Sequence, residues 1–107
     1  MIPGIQQVAN EYKEELVRVY GKELVELILF GSYARGDFNE ESDVDFALVL
    51  RNPDISPAEE IFKTSNISLQ LELKYGLMLS TLPVSFQKKQ VAMQGVYQDI
   101  RKEGIII

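Results

Sequence analysis

The sequence predicts an α/β (α+β) domain: a small mixed β-sheet flanked by helices. Two observations carry that expectation. The runs "LVELILF" (24–30) and "VDFALVL" (44–50) are short, largely apolar and bounded by Gly31 and by Asn52-Pro53, as buried strands are. Longer stretches with apolar residues at three- and four-residue spacing alternate with them, and helices of that kind cover a sheet. At 107 residues, with no repeat or Gly/Ser-rich linker, the chain suits one domain spanning 1–107.

Ile5, Val8, Tyr12, Leu16 and Val19 place an amphipathic helix over 4–20, with Gly21 as its stop. The strand at 24–30 follows, then a polar stretch in which "SYARG" forms a short helix with Ser32 at or near its cap. The strand at 44–50 comes next. Ser56-Pro57-Ala58-Glu59 opens a further helix, with Ser as cap, Pro at the first position and Glu59 completing a capping box. It runs to about Tyr75 and stops at Gly76. "LMLSTLPVS" (77–85) is a third strand, and Pro83 assigns it to a sheet edge or a strand end. Ser85 caps a final helix, weakened at Gly95, that ends at Gly104. The terminal "GIII" is too apolar for water and adds a short strand, docks on the core, or joins an interface with a second copy or a partner.

Composition narrows the chemistry. With no cysteine and no histidine, disulfides, thiolate metal sites and imidazole-dependent triads are excluded. Catalysis would rest on carboxylates, hydroxyls, Lys/Arg and a hard metal. The N-terminal segment becomes charged within a dozen residues, so it reads as neither signal peptide nor membrane span, and a cytoplasmic location is expected. A net charge of −5 disfavours nucleic acid as a partner, because clustered positive charge is needed to neutralise phosphates. A small nucleotide carrying its own metal is compatible with an acidic site.

The stretch "GSYARGDFNEESDVDF" (31–46) holds the candidate residues. Gly31 lets backbone approach a phosphate, since no Cβ intervenes. The Ser32 hydroxyl can donate to a terminal phosphate oxygen. Arg35 can add a charge-assisted contact or pair with Asp37 or Glu41. Asp43 and Asp45, two apart on a strand, share a face with α-carbons about 6.6 Å apart, while Val44 and Phe46 point into the core. Two neighbouring carboxylates repel each other unless a cation lies between them, and such oxygens suit Mg²⁺ or Mn²⁺. The bland alternative is a polar turn with both aspartates in water.

Gly31-Ser32, then Asp43-Val44-Asp45, between two apolar strands, resembles the signature of the polymerase β-like nucleotidyltransferase superfamily. Within it, "LFGSYARGDFNEESDVDFALVL" is similar to the minimal nucleotidyltransferases (MNT, including MntA-like antitoxins), small single-domain proteins of this size. "LELKYGLMLSTLPVS" and "VYQDIRKEGIII" extend the likeness over nearly the whole chain. The resemblance implies that fold and Mg²⁺-dependent transfer of a nucleoside monophosphate, AMP from ATP, to a hydroxyl on a partner protein. It implies a two-metal site, with Asp43 and Asp45 as catalytic metal ligands and Gly31, Ser32 and Arg35 on the nucleotide. It further implies a partner, a helical HEPN-type toxin that the chain antagonises as antitoxin.

The sequence departs from the superfamily at one point. A third carboxylate often sits on the next central strand, but "LMLSTLPVS" has no acid, and Ser80 or Thr81 occupies that region. A hydroxyl is a weaker metal ligand and a poorer base. Three readings follow: transfer is retained on two carboxylates, an acid elsewhere (Asp37, Glu41 or Glu72) substitutes, or the chain neutralises its toxin by binding alone. Retained transfer is the adopted reading; transfer to a small molecule is weaker, since its acceptor pocket would require a homodimer. Tyr12, Tyr20, Tyr75 and Tyr97 read as core or rim, Tyr33 as packing beside the phosphate loop, and "FQKK" with "IRK" as a solvated basic face.

Overall fold

The computed structural model describes residues 3–107, and its elements follow the predicted order. Helix α1 (Pro3–Tyr20) passes through a 3-10 turn, Gly21–Glu23, into strand β1 (Leu24–Phe30). A four-residue helix, α2 (Ser32–Arg35), and a loop precede β2 (Val44–Leu50), which is followed by α3 (Pro57–Tyr75) and β3 (Leu79–Ser85). Two short helices, α4 (Phe86–Val91) and α5 (Gly95–Glu103), then lead to a two-residue strand, β4 (Ile105–Ile106).

The strands form one mixed sheet in the order β3-β2-β1-β4. β2 pairs antiparallel with β1 and parallel with β3, and β1 pairs antiparallel with β4. A parallel pair needs a long crossover, which α3 supplies between β2 and β3. β2 is buried along Phe46–Leu50 because both of its faces are covered. On one face Leu27, Leu29, Val44, Phe46, Leu48 and Leu50 meet Ile5, Ala9, Tyr12 and Leu16 of α1 and Leu71 of α3. On the other, Ile28, Ala47, Val49 and Val84 pack with Ile100 of α5. Pro83 lies in edge strand β3, consistent with its missing N–H.

Tyr12 fastens α1 to the sheet. It is fully buried, its ring meets Phe46 edge-on with centroids 5.2 Å apart, and its hydroxyl lies 2.6 Å from Thr81 Oγ1. Replacing Tyr12 with Phe is expected to lower stability by about 1–2 kcal/mol, because Thr81 loses a partner. Urea denaturation should show a lower midpoint with an unchanged m-value.

Three details differ from the sequence expectation. Ser56 occupies the N-cap of α3 with extended backbone, but its hydroxyl makes no capping bond and no capping box forms. Pro57 already fixes the first-turn geometry, and the Ser56 carbonyl accepts the Glu60 N–H at 3.1 Å. The final helix is two helices, separated at 92–94. Ser85 caps the first by accepting the Lys88 N–H at 3.1 Å. Arg101 Nη1 then donates to the Lys89 and Ala92 carbonyls at 2.7 and 2.8 Å, satisfying the end of α4. The basic face is also less solvated than expected, since Lys89 pairs with Glu26 at 2.7 Å with both side chains largely buried.

The terminal isoleucines form a strand, β4, with Ile105 opposite Leu29 and Ile106 opposite Ile28. Gly104 permits this approach: a Cβ there would collide with the Ile100 carbonyl and Ile28 Cγ2. Among the described residues, no helix is long and apolar enough to cross a membrane.

Candidate active site

Strand register builds the site. β1 ends at Phe30, which pairs with Asp45, so the chain leaving β1 turns at Gly31 directly beside that carboxylate. Gly31 has φ 75° and ψ −156°, a region essentially reserved for glycine. It is buried, and a Cβ on it would collide with Asp45 Oδ2 and lie 3.2 Å from Asp45 Cγ. Its carbonyl accepts the N–H groups of Ala34 (3.1 Å) and Arg35 (3.0 Å), closing α2. Gly31 therefore takes the cap position, and half-buried Ser32 is the first helical residue. The Ser32 and Tyr33 N–H groups begin the turn, where a helix offers them no acceptor of its own.

Asp43 is exposed and immediately precedes β2, whose Val44 N–H donates to the Met78 carbonyl at 2.8 Å. Asp45 is half-buried, while Val44 and Phe46 are buried on the opposite face as the strand alternation predicts. Burial, and next the nearby Asp43 charge, push the Asp45 carboxyl above its usual range; Arg35 acts in the opposite direction. Gly31, Ser32, Arg35, Asp43 and Asp45 thus meet at one end of the sheet.

Arg35 donates through Nε to Asp37 Oδ2 at 3.2 Å and through Nη1 to Glu103 Oε1 at 2.9 Å. These carboxylates, Asp37 first, strengthen its hold on its proton. Of its two sequence-level partners, Asp37 is the one it meets. Glu103 is a contact that the sequence did not reveal, since 68 positions separate the two residues.

The β2–β3 register separates Ser80 from Thr81. Ser80 is exposed and lies opposite Asp45, on the same face of the sheet. Thr81 lies opposite Phe46, is half-buried, and turns inward to the Tyr12 hydroxyl, so it faces away from the site. Two of the three substitute acids are engaged: Glu72 Oε2 accepts the Leu79 N–H at 2.9 Å, and Asp37 holds Arg35, while Glu41 is exposed in the loop before β2. Among the described residues, no group of three Asp, Glu, His or Cys is placed to hold a metal. The tyrosines pack as expected, Tyr12, Tyr20 and Tyr75 with one core layer and Tyr97 with the other. Tyr33 also packs there and stacks on Phe38 with centroids 4.2 Å apart.

The donor set fits a hard divalent cation. Asp43 and Asp45 offer only carboxylate oxygens, and their mutual repulsion is what a cation would relieve. Mg²⁺ characteristically uses one or two carboxylates and takes its remaining ligands from water and substrate phosphates.

Residues 9–107 match the family described as nucleotidyltransferase domain. The chain belongs to that family. Two curated relatives from Methanocaldococcus jannaschii, both named as candidate protein adenylyltransferases, support the assignment. One is 35% identical over 78% of this chain and 81% of its own length; the other is 33% identical over 95% and 96%. A solved candidate minimal nucleotidyltransferase superposes with a TM-score of 0.60 at 19% identity, covering 99% of this chain and 97% of that one. A toxin–antitoxin structure with AMP-PNP gives a TM-score of 0.60 at 18% identity, over 89% and 68%. At these identities the structural likenesses establish that the nucleotidyltransferase shares the fold.

Proposed function

We propose that this nucleotidyltransferase, acting as a single domain in the cytoplasm, moves AMP from ATP to a hydroxyl on a partner protein with Mg²⁺. We place it as the antitoxin of an MNT/HEPN toxin–antitoxin pair. The observation that carries the reading is the approach of Gly31 to Asp45, which joins a phosphate-accepting turn to a carboxylate pair. The names of the curated relatives support protein adenylyl transfer, and the toxin–antitoxin likeness supports the class of partner.

In this reading the Ser32 hydroxyl and the first-turn N–H groups bind the triphosphate, Arg35 adds a charge-assisted contact, and Asp43 with Asp45 holds the cations. The partner's hydroxyl oxygen bonds to the α-phosphorus, the α–β bridging bond breaks, pyrophosphate leaves, and the hydroxyl proton passes to solvent. When bound, Mg²⁺ would neutralise charge accumulating on the phosphates. Incubation with α-labelled ATP, Mg²⁺ and a HEPN-type toxin tests the proposal. Label should appear on that protein with the wild type and vanish with Asp45→Asn. An unlabelled but stable complex would favour neutralisation by binding alone.

That second reading draws on Ser80, which puts a hydroxyl beside Asp45 where a third acid would fit. Adjacent strands lie about 4.8 Å apart, so a carboxylate at 80 would reach the pair. Ser80→Asp is therefore expected to accelerate transfer by roughly a hundredfold, the low end for a positioned acid–base group, measured as the initial rate of pyrophosphate release. An unchanged or slower rate would place the third acid's function elsewhere.

A further inference from the structure

Arg35 lies on a helix of four residues, too short to orient a long side chain by itself. Its two carboxylate partners are unequal. Asp37 is two positions away, with a side chain 63% exposed, and moves with the same loop. Glu103 ends α5, is only 24% exposed, and approaches more closely.

The surroundings of Glu103 are fixed. Ile100, one turn earlier, is buried against the sheet, and the Gly104 N–H donates to the Ile100 carbonyl at 3.1 Å. Ile105 and Ile106 then pair with β1, and the Ile107 N–H donates to the Leu27 carbonyl at 2.9 Å. The segment holding Glu103 is thus joined to the strand that delivers Gly31. Arg35 remains 44% exposed, and two contacts occupy only part of its five-donor guanidinium. Its charge also reaches Asp45.

We infer that Glu103 is a positioning residue that presets the Arg35 guanidinium for the triphosphate. The inference rests on the proposed nucleotide site. A free arginine must lose rotamer freedom on meeting a ligand, whereas a tethered one has lost it beforehand. Partly exposed ion pairs add little to stability, so removing this one should leave the fold intact.

A double-mutant cycle read by binding of a non-hydrolysable ATP analogue with Mg²⁺ tests this. Glu103→Ala and Arg35→Ala should each weaken binding by about five- to tenfold, and the double variant should bind no worse than Arg35→Ala alone. Glu103→Gln, which keeps an acceptor oxygen, should recover part of the loss, and melting temperatures should stay close to wild type. Independent, additive losses would overturn the inference, as would unchanged or tighter binding by Glu103→Ala; tighter binding would mean that Glu103 competes with phosphate. A wild type that binds no analogue would overturn both this inference and the nucleotide site, whereas normal wild-type binding with an indifferent Glu103 would overturn the inference alone.

Discussion

Asp45→Asn is expected to lower nucleotidyl transfer by at least roughly 10²–10³-fold while making the metal-free protein more stable at neutral pH. The two effects share a cause. Half-burial and the Asp43 charge raise the Asp45 carboxyl above its ordinary value of 3.8, so ionising it in the folded protein without a cation costs stability. For a group whose folded pKa is raised, stability is fully present below the unfolded value and is lost as pH rises through the folded one. Asparagine has no such loss. Thermal melts in chelator should therefore show the variant a few degrees above wild type at neutral pH, with the gain shrinking as pH falls toward 3.8. Mg²⁺ with an ATP analogue should reverse the order, because only the wild type gains a cation ligand at this position.

Gly31→Ala is expected to damage stability and transfer together. A side chain in this backbone region costs about 1–3 kcal/mol before any contact is considered. The added methyl would also occupy the space of Asp45 Oδ2, forcing the turn or the carboxylate to move. A lower urea midpoint and loss of measurable transfer should result. Gly36→Asn is the control. Gly36 also has a positive φ but lies in the left-handed helical region, nothing lies within 4 Å of its Cβ position, and asparagine tolerates that conformation. It should retain most stability and activity. If Gly31→Ala behaved like Gly36→Asn, the close contact between turn and carboxylate would have no role.

The parts of this protein readable from sequence are those governed by local pattern. The strands at 24–30 and 44–50 stand as read, because apolar runs of that length between turn residues have few other solutions. Gly76 stops α3 in a left-handed conformation, as a C-terminal glycine commonly does. The pairing of the glycine turn with two aspartates was also legible, because β1 and β2 are neighbours joined by a short segment. Strand pairing decided the rest. Nothing local distinguishes Ser80 from Thr81; only register with Asp45 and Phe46 turns one toward the site and the other toward Tyr12. Lys89 read as solvated because Glu26 is distant in sequence, and Glu103 stayed hidden because its partner lies on the other side of two strands and a long helix. Ser56 shows the reverse case: its cap motif was present, yet the hydroxyl did not make the bond.

Parallel reactions with α-labelled and γ-labelled ATP, each with Mg²⁺ and the HEPN-type toxin proposed as partner, would decide whether the Gly31–Ser32 turn and the Asp43–Asp45 pair work as a nucleotidyl-transfer site. The α label should move to the partner protein, while the γ label should leave with pyrophosphate. Transfer of the γ label would instead mean a phosphoryl transferase, and bound nucleotide with neither label on the partner would mean a site that binds without reacting.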